Sequence, residues 1–240
     1  LSNALTNNRS LRSLDLSSNP EITIAGWEAF LAVLQNPDSA LEKLNLRYNS
    51  INDVAALSLS NALTNIRSLR SLDLSSNHEI TIAGWEAFSA VLQNPGSALE
   101  KLDLQHNSIN DANTISLANS LANNNKLKEL LAFDFDFGIT ANEWAAFSNI
   151  ICSTSSIMDT YHSNHTLQKL SRIDYEDRLP DDLRSLLRIN RENSKSAAAR
   201  LKIIKTHLRE GFIVRPFVDM ESKVLPHAIA WMGRDGRTSE

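Results

Sequence analysis

The chain has 240 residues, 42% of them apolar, and sets 24 Lys and Arg against 28 Asp and Glu for a net charge of −4. A single cysteine, Cys152, excludes an internal disulfide framework, and no run approaches the ~18 consecutive apolar residues that a membrane-spanning helix needs. The charge balance excludes a dominantly basic composition of the kind that binds nucleic acid, while the apolar share is enough to build a core.

In chain order, residues 1–58 return as residues 59–116 with 47 of 58 positions identical, and each copy divides again. The inner units open LRSLDLSSN at Leu11, LEKLNLRYN at Leu41, LRSLDLSSN at Leu69 and LEKLDLQHN at Leu99, so the spacing alternates between about 30 and about 28 residues. Two leucines in each unit are two residues apart, which in a strand places them on one face. Leu14 with Leu16, Leu44 with Leu46, Leu72 with Leu74 and Leu102 with Leu104 are therefore expected to stack as core rows. Asn19, Asn49, Asn77 and Asn107 stand where the chain leaves the strand, and an amide supplies the donor and the acceptor that such a turn lacks. Past each asparagine the apolar period changes from two to about 3.6, which predicts a helix. Thr23 is the expected cap of a helix carrying Trp27, Phe30, Leu31 and Leu34, and Thr81 that of its copy with Trp85, Phe88 and Leu92. Asp53 and Asp111 are the expected caps in the alternate units, and Asn36-Pro37 and Asn94-Pro95 stop the longer helices. Strand, turn, helix and return give parallel strands joined by helical crossovers.

The pattern decays after the fourth unit. LKELLAFDF begins in register at Leu127, but Ala132 replaces a core leucine and Phe135 stands where asparagine is expected. A helix with Trp144, Phe147 and Ile151 inside follows, and a degenerate sixth unit is expected from Ile157, with Thr160 and His162 in leucine positions. The first 166 residues carry 9 basic and 17 acidic side chains, residues 167–240 carry 15 and 11. Helices are predicted after Pro180, with Leu183, Leu186 and Leu187 inside, and over 195–208 behind Ser194, with Leu201, Ile204 and Leu208 on one side. A third apolar segment covers 224–232. The expected organisation is a repeat solenoid over 1–170 and a helical cap or appendage over 171–240. The chain opens without methionine and halfway through a repeat, so further repeats are expected upstream.

With four successive L-x-x-L-x-L-x-x-N matches, residues 1–170 resemble leucine-rich-repeat proteins of the ribonuclease-inhibitor-like subclass. The resemblance implies an α/β horseshoe with strands on the concave face and helices on the convex face. It also implies a non-enzymatic module that binds a protein on the concave face. Secreted relatives resemble one another in cysteine-stapled caps, which cannot form here, so the cytoplasm is expected, with the nucleus as alternative. Ran GTPase-activating proteins are similar in repeat type, which keeps a GTPase-activating regulator open. A substrate-receptor adaptor of a ubiquitin ligase is the other alternative.

The concave candidates are the alternate strand residues: Asp15, Lys43, Asn45, Arg47, Tyr48, Asp73, Lys101, Asp103, Gln105, His106 and Phe133, with Ser75 and Leu131 also outward. Their mixed charge favours a protein partner over nucleic acid. Between the copies Asn45, Arg47 and Tyr48 become Asp103, Gln105 and His106 while every core leucine of the strands stays. That clustering fits a recognition patch, since Arg and Tyr anchor interfaces, and equally fits drift of exposed positions. No catalytic, cofactor or metal site is expected. His162 and His165 read as a solvated loop, Cys152 as a small buried hydrophobe, and Asp134 with Asp136 as an irregular repeat exit. Lys195, Arg200, Lys202, Lys205 and Arg209 read as a solvated helix face, and Trp27, Trp85 and Trp144 as packing.

Overall fold

Five three-residue strands each contribute one leucine to a single inward-facing row. They are β1 Ser13–Asp15, β2 Lys43–Asn45, β3 Ser71–Asp73, β4 Lys101–Asp103 and β5 Glu129–Leu131, all parallel and ordered as in the sequence. Leu14, Leu44, Leu72, Leu102 and Leu130 stand opposite one another across the sheet. The computed structural model describes residues 8–34, 39–107, 109, 111–132, 140–171 and 173–207. The expectations at Asn36-Pro37, Phe133, Asp134, Phe135, Asp136, Leu208, Arg209 and 224–232 lie outside the described residues, as does the side chain of Asp111.

The helices α1 Ile24–Leu34, α2 Asp53–Leu63, α3 Ile82–Gln93, α4 Asp111–Ser120 and α5 Ala141–Ile151 each pack on the next. Between helices and sheet the leucine rows close into one core, with Leu46, Leu74 and Leu104 fully buried. Trp27 and Trp85 are also inside, set against Phe30 and Phe88 at ring separations of 6.1 and 5.8 Å. The architecture is the expected open α/β solenoid.

The asparagines form the ladder that their chemistry required. Asn77 donates from Nδ2 to Leu46 O, Leu74 O and Ser75 O, and its Oδ1 accepts the backbone N–H groups of Asn49 and Ile51. Asn49 repeats this toward the unit before it, reaching Leu16 O at 3.0 Å and accepting from Asn19 N. Asn107 Oδ1 accepts from Asn77 N in turn. The residue just before each rung, Ser18, Tyr48, Ser76 or His106, is left-handed, with φ between 55° and 59°.

The helix caps differ from expectation at Thr81 and at Asp53. Thr23 Oγ1 does accept from Gly26 N, but Thr81 makes no cap bond of its own. Asp53 takes over that role from the neighbouring unit. Its carboxylate accepts Thr81 N at 2.7 Å, the Thr81 hydroxyl at 2.6 Å and Gly84 N at 3.2 Å, while Asn52 caps Asp53's own helix. Only glycine permits this approach, because a Cβ on Gly84 would lie 2.8 Å from Asp53 Oδ1. Desolvation raises the Asp53 pKa, but the two Thr81 bonds and the Gly84 bond outweigh it and hold the carboxyl below its usual value. The unfolded chain therefore takes up its proton at higher pH than the fold does. Stability from this contact is present at neutral pH and lost as pH falls through the folded value. Asp53→Ala is expected to cost about 1–2 kcal/mol in urea unfolding at neutral pH, the size of a lost N-cap. Asn52→Ala in the same assay calibrates an ordinary cap.

The sixth unit starts later than expected. Residues Ile157–His162 form a short helix, α6, capped by Ser156. The sheet is instead extended by Lys169, which bridges Glu129 in parallel and whose carbonyl accepts Leu130 N. Leu167 and Leu170 fill the leucine positions and are fully buried. A 3-10 turn at Ile173–Arg178 leads to α7 Asp181–Glu192, which lies on α5 with Leu183, Leu186 and Leu187 inside. Then α8 Lys195–His207 packs on α6 and α7.

The buried face of α8 is the opposite of the one expected. Leu201 and Ile204 are exposed, while Ala198, Ala199, Lys202 and Ile203 are buried. Two alanines let the helix approach closely, and Lys202 finds a backbone acceptor at the end of α5 and another at Asn164. Lys195 and Lys205 are also tied, to Asn125 O and Ser185 Oγ, so this cluster is not a uniformly solvated face. Nor is His165 a solvated loop residue, since its Nδ1 lies 3.1 Å from Lys202 Nζ. Cys152 is buried as expected.

Candidate binding face

Strand pairing places the outward side chains in two straight rows. One runs Ser13, Lys43, Ser71, Lys101, Glu129, and the other Asp15, Asn45, Asp73, Asp103, Leu131. The second row has an internal role. Asp15 Oδ1 accepts the N–H and hydroxyl of Ser17 at 2.8 and 2.6 Å, Asp73 Oδ1 does the same with Ser75, and Asp103 Oδ1 accepts Gln105 N. Asn45 Oδ1 accepts Arg47 N in the same way. Each closes the strand exit as an Asx turn, which accounts for Asp or Asn at that position in every one of these four units. The Ser17 hydroxyl bond first, then the Ser17 N–H, holds the Asp15 carboxyl below its usual range, with Asn45 Nδ2 adding a contact at Oδ2.

The turns also decide what reaches solvent. Ser75 and Gln105 are folded back over the sheet and buried, at 3% and 6% exposure, so neither is the outward residue that strand alternation predicts. Leu131 is likewise buried, as suits an apolar side chain. Arg47, on the same turn position as Gln105, remains exposed.

Ion pairs neutralise part of the remaining charge. At the strand entries Arg12 meets Glu42, and Glu100 meets both Arg70 and Lys128. Lys101 pairs with Glu129 at 3.7 Å. Among the described residues this leaves Lys43 and Arg47 as the cations of β2 and its exit without a counter-ion. Beside them Tyr48, 56% exposed, walls a cavity of about 170 Å3 with Pro20, Ser50, Ser76, His78 and Glu79. The structure thus groups Lys43, Asn45, Arg47 and Tyr48 on one strand and its exit, between the Asp15 and Asp73 side chains. His106 occupies the matching exposed turn two units on.

Among the described residues, no group of three or more His, Cys, Asp or Glu side chains is placed to hold a metal, and no helix is long and apolar enough to cross a membrane.

A parallel strand, an asparagine rung and a helix, repeated in register, define a leucine-rich-repeat solenoid. The family profile for the leucine-rich repeat matches residues 7–31, 39–60, 65–89 and 98–112. The chain is similar to pig (Sus scrofa) ribonuclease inhibitor, 33% identical over 138 residues, covering 58% of this chain and 30% of that protein. It is also similar to mouse (Mus musculus) NACHT, LRR and PYD domains-containing protein 14, 35% identical over 130 residues, covering 54% of this chain and 13% of that protein. Among solved structures, the tropomodulin C-terminal domain of Caenorhabditis elegans superimposes with a TM-score of 0.46 at 15% identity, covering 80% of this chain and 91% of that one. The chain spans less than a third of the length of these curated relatives. The matched units are leucine-rich repeats of the ribonuclease-inhibitor-like type.

Proposed function

We propose that the chain is a non-catalytic binding module that seats a protein partner on its concave face, centred on Lys43, Arg47 and Tyr48. The observation that carries this reading is the unpaired Lys43–Arg47 pair beside an exposed tyrosine on a preformed strand. The neighbouring cations are neutralised by ion pairs, whereas these two are held ready for an external acidic group. Tyr48 supports the same reading. A bulky residue at φ 56° costs of order 1 kcal/mol, and exposure at 56% means that little burial within the chain offsets it. A ring in that position is spent on the surface. The strands and ladder fix the site in advance, so binding loses little conformational freedom.

The pig relative is named for inhibiting a ribonuclease, which makes a ribonuclease the first purified partner to test. Affinity purification with the complete open reading frame, followed by mass spectrometry, widens the search. For whichever partner is obtained, the double variant Arg47→Ala, Tyr48→Ala is expected to weaken binding at least tenfold by titration calorimetry. Glu86→Gln on the helical side is expected to leave affinity unchanged. Equal affinity of the double variant and the parent chain would remove Arg47 and Tyr48 from the site. GTP hydrolysis stimulated by the purified chain would replace the binding-module reading with a GTPase-activating one.

A further inference from the structure

Lys202 has no exposed surface, and among the described residues no carboxylate pairs with it. Its ammonium donates to Ile151 O at 2.7 Å, to Asn164 O at 3.1 Å and to His165 Nδ1 at 3.1 Å. Ile151 is the last residue of α5, so the charge rests against the negative end of that helix. Three donors meet three acceptors only while His165 offers a lone pair at Nδ1. The other ring nitrogen, Nε2, lies 3.0 Å from Tyr161 O, a pure acceptor, and so carries the proton. The neutral Nε2–H imidazole is therefore the form that this site holds.

We infer that Lys202 and His165 form a proton-sensitive clasp: protonating His165 turns Nδ1 from acceptor into donor, opposes two cations at 3.1 Å beside the buried Lys202 side chain, and releases α8 from the end of the solenoid.

Among the described residues, no carboxylate is placed to absorb the added charge. From α8 itself, Lys195 adds a second positive charge near His165. The end of α5 contributes the Cys152 thiol, 3.4 Å from Thr206 Oγ1. From α6 come the Tyr161 carbonyl and Thr160, which meets His207 Nε2 at 2.8 Å, while Asp159 is engaged with Ser156 at the helix start. Facing from α7 are the neutral Asn190 amide, which donates to Asn164 O, and Ser185, which accepts from Lys205.

The direction of the pH response follows. Burial, and then the charge of Lys202, push His165 down from 6.5 to about 4, and burial pushes Lys202 down from 10.5 to about 7. Both bases bind protons more readily once α8 is free. Docking therefore weakens as pH falls, from 10.5 to about 7 through Lys202 and from 6.5 to about 4 through His165, by up to tenfold per pH unit for each.

Hydrogen exchange on the full 240-residue chain, corrected for intrinsic rates, tests the clasp at pH 7.5 and pH 5.0. The expected result is a loss of protection of roughly tenfold or more at pH 5.0 in Lys195–His207, with α2 and α3 unchanged. His165→Gln keeps a side-chain acceptor without a titratable ring and is expected to abolish that loss, whereas His207→Gln is expected to retain it. Equal protection of wild-type α8 at both pH values overturns the inference, as does a response that vanishes in His207→Gln and persists in His165→Gln. Should His165→Gln be undocked at both pH values, NMR titration of the wild-type ring decides. A midpoint near 4 that coincides with release supports the clasp, and a midpoint at 6.5 with α8 still protected overturns it.

Discussion

Asn77→Ala is expected to lower the free energy of unfolding by about 3–5 kcal/mol, more than any other single asparagine of the ladder. The side chain is fully buried and makes five hydrogen bonds, three as donor to Leu46 O, Leu74 O and Ser75 O and two as acceptor from Asn49 N and Ile51 N. Alanine strands those groups, and each buried backbone group left without a partner costs about 1–3 kcal/mol, partly recovered where the turn relaxes toward water. The first rung provides the internal comparison. Asn19 is exposed and donates only to Leu16 O and Ser17 O, so Asn19→Ala is expected to cost about 1 kcal/mol. Urea unfolding followed by circular dichroism separates the two. Equal losses would mean that the ladder contributes no more at the centre of the stack than at its end. Asn77→Asp keeps the size but sets a carboxylate against three carbonyls, and is expected to be at least as damaging as alanine.

Much of this was legible in the sequence because the interactions repeat with the unit. A leucine pair two residues apart and an asparagine after it carry their own explanation, since the strand alternates and the exit turn lacks partners. What was not legible depends on the offset between units. Nothing near Asp53 says that its carboxylate reaches Thr81 and Gly84, 28 and 31 residues on, because that contact exists only once the helices are stacked. The sixth strand is a different case, since a usable signal was present. Asn8, Leu11 and Leu14, Asn124, Leu127 and Leu130, and Asn164, Leu167 and Leu170 share one spacing, and in each the asparagine Oδ1 accepts the N–H of the first leucine. Assuming a period near 30 placed the unit at Ile157, whereas the last spacing is 40 residues.

On the strand face Lys43 and Arg47 are exposed, whereas Ser75, Gln105 and Leu131, also read as outward, are buried. The Asx turn interrupts the two-residue period at the strand exit, which takes Ser75 and Gln105 out of alternation, whereas Leu131 is a paired strand residue that is buried as an apolar side chain. Lys202 was misread for a chemical reason. Lysine is rarely fully buried, and three backbone or ring acceptors converging from residues 37 to 51 positions away leave no local trace. The difference between the copies also has a sharper content than its sequence suggested. Arg47 is exposed and Gln105 buried at equivalent turns, so the exchange alters what the surface offers and not only its composition.

Leu102→Ala is expected to cost about 2–5 kcal/mol, for a reason specific to a one-dimensional stack. Leu102 is fully buried between Leu72 and Leu130 in the central row, where strand bonds on both sides and the Asn107 rung toward β3 fix the spacing of the units. A cavity there cannot close without shifting a whole repeat against its neighbours, so most of the lost volume remains empty. Leu14 has the same chemistry at the outer strand but is only partly buried, and Leu14→Ala is expected to cost clearly less. Ser13→Ala, an exposed position on that strand, is expected to stay within about 0.5 kcal/mol. The ordering Leu102, Leu14, Ser13 tests register and stacking together. If Ser13→Ala proved as damaging as Leu102→Ala, the strand faces would be inverted. If Leu14→Ala matched Leu102→Ala, the outer strand would have to be covered in solution, and the partial exposure of Leu14 would not describe the folded chain.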